Sequence, residues 1–223
     1  MKKLFFLVIS PLFVFGQLTV INPSFEGDGG QGATPEPWQE CMPSDDFGGY
    51  LTPDTQPGVY FIDLPPSDGD TYIGLAHGPM GANADFWYEH QEGVSQQLSS
   101  PMIADGCPYF LTIDLANVQT SKPSWADGGT LYPTIGELKV YGGFEQCDKT
   151  ELLWSSGPIY NEDWNTYPIN FIPNDNYSHI LLVCQKSEEW EENVTAYILV
   201  DNMSALVNGA PIDISTSTEE FCV

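Results

Sequence analysis

From residue 109 the chain alternates, with Tyr109, Leu111, Ile113 and Leu115 apolar on one side and Thr112 and Asp114 polar on the other. A period of two is the mark of a half-buried strand. Residues 180–183, Ile-Leu-Leu-Val, form an unbroken apolar run, which predicts a strand buried on both faces. Similar short runs recur at 18–22, 59–64, 71–76, 93–98, 137–141, 166–171 and 196–201, each bounded by Gly, Pro, Asn or Asp. No long segment carries a 3.6-residue period. The pattern therefore predicts an all-β chain, a two-sheet antiparallel β-sandwich. Aromatic residues never thin out for long between 17 and 206, so that span reads as one domain, followed by a polar Ser/Thr/Glu-rich tail at 207–223.

The first sixteen residues follow a different rule. Lys2 and Lys3 precede an apolar run at 4–15 broken only by Ser10 and Pro11, and Gly16 offers a small residue for cleavage. This is the layout of a secretory signal peptide and is too short to cross a bilayer. The expected location of the mature chain is outside the cell or at its surface, with no membrane insertion after cleavage. An oxidising compartment makes disulfides the default for Cys41, Cys107, Cys147, Cys184 and Cys222. Spacing alone does not fix connectivity. The pairing expected is Cys147 with Cys184 inside a sheet and Cys41 with Cys107, leaving Cys222 unpaired; the alternative is a set of reduced core cysteines.

Composition narrows the partners. Six lysines, no arginine and 31 acids give a formal charge of −25 in 223 residues, and losing Lys2 and Lys3 with the leader deepens it to −27. Nucleic acids and anionic lipid surfaces need clustered cations that this chain lacks. Phosphate and carboxylate ligands lose their usual bidentate clamp. Hydrophobic residues at 42% and aromatics at 13% still suffice for a core. Neutral ligands, cations and basic partners remain.

An ordered series of short motifs runs through the chain: Asn22-Pro23-Ser24-Phe25-Glu26-Gly27, Pro37-Trp38 through Cys41, the stretch 52–58 (TPDTQPG), Gly69 to Leu75, Val94-Ser95-Gln96-Gln97-Leu98, Leu138 to Gly143, Cys147 to Trp154, Asp163 to Tyr167 and Ile198-Leu199-Val200-Asp201-Asn202. The first and last resemble the galactose-binding-domain-like jelly rolls, a superfamily holding many carbohydrate-binding modules. The middle resembles a group of secreted proteins of Bacteroidetes. The resemblance implies a jelly-roll sandwich and a structural calcium joining the first strand to the last, with Glu26 and Asp201 among its oxygen ligands. Asp28, in a glycine-rich loop, is a further candidate ligand. The alternative is that Glu26 and Asp201 accept backbone hydrogen bonds at strand ends.

Neutral-sugar binding is the function the resemblance implies. It needs flat apolar ring faces and amide or carboxylate groups for the hydroxyls. The segment Phe86-Trp87-Tyr88-Glu89-His90-Gln91 has that composition, and Trp125 lies in a Pro/Gly-rich loop. Trp87, Tyr88, His90 and Trp125 are thus the candidate ligand-binding residues, while Trp38, Trp154 and Trp164 read as core or edge-covering and Trp190 as capping an acidic loop. No G-x-S-x-G, H-E-x-x-H, P-loop or dinucleotide fingerprint occurs, so no catalytic residue is assigned. A surface protein bound as an adhesion partner and a glycoside hydrolase activity are the competing readings.

Overall fold

The computed structural model describes residues 17–41, 53–80, 88–117, 135–187 and 195–209. The alternation at 109 becomes strand β7 (Tyr109–Asn117), with Tyr109, Leu111, Ile113 and Leu115 buried in the main core. The other strands are β1 (Gln17–Leu18), β2 (Gln39–Glu40), β3 (Asp54–Gln56), β4 (Tyr72–Met80), β5 (Tyr88–Gln91), β6 (Gly93–Gln97), β8 (Gly136–Gly143), β9 (Glu151–Ser155), β10 (Asn165–Phe171), β11 (His179–Lys186), β12 (Ala196–Asp201) and β13 (Leu206–Asn208). Among the described residues they form an eight-stranded and a five-stranded sheet, every pairing antiparallel. The larger runs β1-β13-β7-β12-β4-β3, with β10 on β7 and β5 on β4, and the smaller runs β2-β6-β11-β8-β9. The chain is an antiparallel β-sandwich.

The core between the sheets is built from alternate residues: Ile73 and Leu75, Ile198 and Val200, Leu138 and Val140, Ile180 and Leu182. Leu181 and Val183, on the opposite face of β11, are also buried, as the continuous run predicts. The larger sheet has a second apolar layer on its outer face, where Tyr72, Ala76, Ala116, Tyr197 and Leu199 meet Tyr60, Ile62, Leu64 and Trp164. This layer corrects the strand expected at 59–64. That stretch is a 3-10 turn (Val59–Phe61) running into extended chain, and its alternating apolar side chains cover a sheet from outside instead of joining one. Gly74 in β4 makes the layer possible, because any Cβ there would run into the Tyr197 ring and hydroxyl.

Two strand edges are completed by side chains. The Gln96 amide bonds both the N–H and the carbonyl of Ile21, and Ser99 bonds both those of Thr19, so the expected strand at 18–22 shortens to β1 and continues as chain held by these two residues. Between β3, which reaches Gly74, and β5, whose last residue Gln91 faces His77, the edge of β4 has a gap. Glu92 fills it. Its N–H donates to the Ala76 carbonyl at 2.8 Å and its Oε2 accepts the Ala76 N–H at 2.7 Å, while its carbonyl accepts Cys184 N–H at 3.1 Å from the other sheet. One residue thus carries the chain from β5 in one sheet to β6 in the other.

The cysteines correct the expected pairing. Cys41, just past β2, is bonded to Cys147 in the β8–β9 loop, with Cα atoms 5.2 Å apart. Cys184 is free and buried on the core face of β11, opposite Leu138 of β8 in the pairing register. Cys107 is disulfide-bonded, but not to Cys41. Cys222 lies outside the described residues.

Candidate functional site

Six strands reach the same end of the sandwich. Met80 at the end of β4 faces Tyr88 at the start of β5, and Ala196 at the start of β12 faces His77. Asn117, closing β7, faces Ile198, and its Oδ1 accepts the Gly136 N–H at 3.1 Å where β8 begins. Gly136 in turn faces Lys186, whose N–H donates to His77 Nδ1 at 2.7 Å, and Ser187 N–H donates to the Ile135 carbonyl at 3.1 Å. The connections 81–87, 118–134 and 188–194 therefore start and finish at one end. Trp87, Trp125 and Trp190 belong to those connections and lie outside the described residues.

Beneath this end is a buried polar cluster that sequence reading did not find. Asp54, 3% exposed, accepts Gly32 N–H on Oδ1 at 2.9 Å and the Tyr197 hydroxyl on Oδ2 at 2.8 Å. Gln56 Nε2 donates to the same hydroxyl at 2.9 Å. Nearby, His90 Nε2 donates to Glu92 Oε1 at 2.8 Å. Burial, with the Glu92 charge added, pushes the Asp54 carboxyl up to about 7 against the pull of Gly32, Tyr197 and His90. His90, expected at a ligand surface, is instead fully enclosed and committed to Glu92. Of the expected Tyr88, the backbone opens β5 opposite Met80.

From this end a strip of amide and aromatic groups runs down beside the smaller sheet as far as Tyr141, which faces Leu181. Gln91 Nε2 donates to the Cys184 carbonyl at 3.0 Å and to Gln185 Oε1 at 2.9 Å, and its Oε1 accepts Lys149 Nζ at 2.7 Å. That ammonium stands 5.9 Å from the centre of the Tyr141 ring. The Cys41–Cys147 bond ties the loop carrying Lys149 to the chain after β2. Half-buried Gln91, Gln185 and Tyr141 thus form a fixed polar strip that the sequence reading passed over, because Gln91 was singled out only by its neighbours.

The tryptophans inside the motif series are structural. Trp38 is buried, stacks on Phe25 at 5.0 Å and donates its Nε1–H to the Asn22 carbonyl at 2.8 Å. Trp164 meets Tyr72 edge-on at 5.1 Å and donates to the Pro65 carbonyl at 2.7 Å. Trp154 packs against the main core.

At the opposite end stand the residues expected to hold calcium. Both Glu26 oxygens accept Asp70 N–H, at 2.9 and 3.1 Å, and Thr71 adds its N–H at 3.4 Å and its hydroxyl at 3.5 Å. Asp201 Oδ2 accepts Ser67 N–H at 2.8 Å and Asp68 N–H at 3.0 Å, and Oδ1 accepts Asn202 N–H at 2.7 Å. Asp28 is exposed. Calcium wants six to eight oxygens converging on one point, and among the described residues no three His, Cys, Asp or Glu side chains gather closely enough to hold a metal. The carboxylate oxygens that such an ion would use already accept backbone N–H groups.

No protein-family model and no curated protein matches the sequence. Solved structures of similar shape include a Stig cyclase from Fischerella sp. TAU, 16% identical, covering 87% of this chain and 98% of that one with a TM-score of 0.49. Another is the carbohydrate-binding module TmCBM61 in complex with β-1,4-galactotriose, 14% identical over 83% of this chain and 95% of that one, TM-score 0.43. A third is the CBM22-1 xylan-binding domain of Paenibacillus barcinonensis Xyn10C, 14% identical over 83% and 90%, TM-score 0.42. None of the three reaches 0.5, and the assignment of a sandwich stands on the strand pairing itself.

Proposed function

We propose that the chain is a secreted, non-catalytic carbohydrate-binding module that receives a neutral sugar at the loop-bearing end of the sandwich. The observation that supports this most is topological. The strand ends flanking the segments of Trp87 and Trp125 meet at one end, bordered by the start of β5 and by the Gln91 and Gln185 amides, so the segments that carry the aromatic residues leave from the end where those amides lie. A neutral ligand also agrees with a chain that has no arginine. A non-catalytic reading is supported by the fate of one interacting acid pair among the described residues there: Asp54 and Glu92 are both buried and bonded within the fold.

Affinity electrophoresis against a panel of neutral plant, algal and bacterial polysaccharides tests the proposal. At least one should retard the full chain, and Trp125→Ala should weaken that retardation tenfold or more while the melting temperature stays unchanged. Retardation by none of the panel, or by one polysaccharide equally in the variant, would count against this site. Sugar release from the same polysaccharides would return the hydrolase reading.

A further inference from the structure

We infer that the clasp joining the 22–27 segment and the end of β12 to the loop before β4 is closed by backbone N–H groups on two carboxylates and takes no metal ion. The loop Ser67-Asp68-Gly69-Asp70-Thr71 turns its amides in two directions. Ser67 and Asp68 donate to Asp201, and Asp70 and Thr71 donate to Glu26. Glu26 and Asp201 come from segments 175 positions apart in the chain, so this loop is the piece that links them.

The close approach is built into the sequence. Gly69 holds φ +67 and lies so near the Glu26 carboxylate that any Cβ would overlap Oε1, a conformation and a contact that only glycine permits. Further donors tighten the same loop from the side. The Ser67 hydroxyl donates to Asp114 Oδ2 at 2.5 Å, and Asp114 also accepts Thr166 Oγ1 at 2.6 Å and Asn202 Nδ2 at 2.9 Å. The Ser24 hydroxyl donates to Asp68 Oδ2 at 2.6 Å.

Chemistry decides between a cation and this arrangement. A carboxylate in a concavity of successive amides is stabilised by their partial positive charge, as an anion is in a backbone nest. A divalent cation placed on the same oxygens would face those N–H protons. Asp201 has no exposed surface and three N–H donors already. The amides do here what a bound ion would do in a cation-pinned sandwich, which is to neutralise the acids and hold the strands.

The test uses the full chain. Its melting temperature is measured after exhaustive chelation and again with millimolar calcium chloride, and calcium binding is titrated calorimetrically. Amide exchange at Ser67, Asp68, Asp70 and Thr71 is followed by NMR in chelator. The clasp predicts melts within about one degree of each other, no binding isotherm, and four protected amides without metal. In Asp201→Asn, exchange at Ser67 and Asp68 should quicken at least tenfold, with Asp70 and Thr71 within twofold of wild type. A fall of several degrees on chelation that calcium reverses would overturn the inference, and so would four unprotected amides in the metal-free wild-type chain.

Discussion

Asp54 makes the stability of this protein depend on pH in an unusual direction. Its carboxyl is buried beneath the loop-bearing end and raised from 3.8 to about 7. The folded chain therefore keeps a proton that the unfolded chain has lost. Stability from this group is fully present below about pH 4 and is lost as pH rises through about 7. Between pH 6 and pH 8 the unfolded carboxyl is ionised throughout, while the folded one passes from about one-tenth to about nine-tenths ionised. The folding equilibrium should fall about tenfold over that window. Asp201, raised to about 6 by burial against its three N–H donors, adds a smaller fall of the same sign over that window. Urea unfolding at half-unit pH intervals measures the slope, and Asp54→Asn should remove most of it. Tyr197→Phe takes away a hydroxyl that donates to Asp54, and should move the break to higher pH. Parallel pH profiles for wild type and Asp54→Asn would refute the reasoning.

Other changes read different parts of the structure. Replacing Cys41 and Cys147 by serine opens a link across 106 residues, with a chain-entropy ceiling of about 4–5 kcal/mol; denaturant unfolding with and without reductant measures the loss, and an unchanged midpoint would mean that the bond constrains nothing. Gly74→Ala must push Tyr197 off Gln56 and Asp54, and should cost about 2–4 kcal/mol by overpacking and lost hydrogen bonds; a near-neutral effect in the same assay would contradict the packing described for the outer layer. Asp114 shows the opposite pH behaviour to Asp54: burial opposes its ionisation, but the Ser67, Thr166 and Asn202 donors prevail and hold its carboxyl below the ordinary value. Its contribution is present above about pH 4 and lost on further acidification, so the pH of maximum stability should be mildly acidic, a point the same urea series locates.

Much of the sandwich was legible because its strands obey simple periods. The alternation at 109–115 and the apolar run at 180–183 led directly to β7 and β11, and 196–201 is β12 to the residue. β3 was not legible. Asp54, Thr55 and Gln56 are polar yet buried, and only partners distant in sequence, Gly32, Ala33 and Tyr197, make that burial tolerable. The disulfide was misjudged for a similar reason, since strand order in the smaller sheet and the reach of the β8–β9 loop, neither visible in spacing, bring Cys147 to Cys41. His90 looked like a surface ligand by its aromatic neighbours, but the gap in the edge of β4 turned Glu92, and His90 with it, inward. Glu26 and Asp201 were read from the motifs as calcium ligands, and the loop of amide donors that both of them meet was the part no motif could display.

The central claim is that sugar binds at the end where β4, β5, β7, β8, β11 and β12 begin or finish. Amide chemical-shift mapping tests it most directly: the labelled full chain is titrated with soluble oligosaccharides from whichever polysaccharide retards it, or from the whole panel if none does. Shifts concentrated at His77, Gln91, Asn117, Tyr141, Gln185 and Ala196, with Glu26 and Asp201 unmoved, are what the account predicts. Shifts confined to the Glu26–Asp201 end, or none with any oligosaccharide, would contradict it.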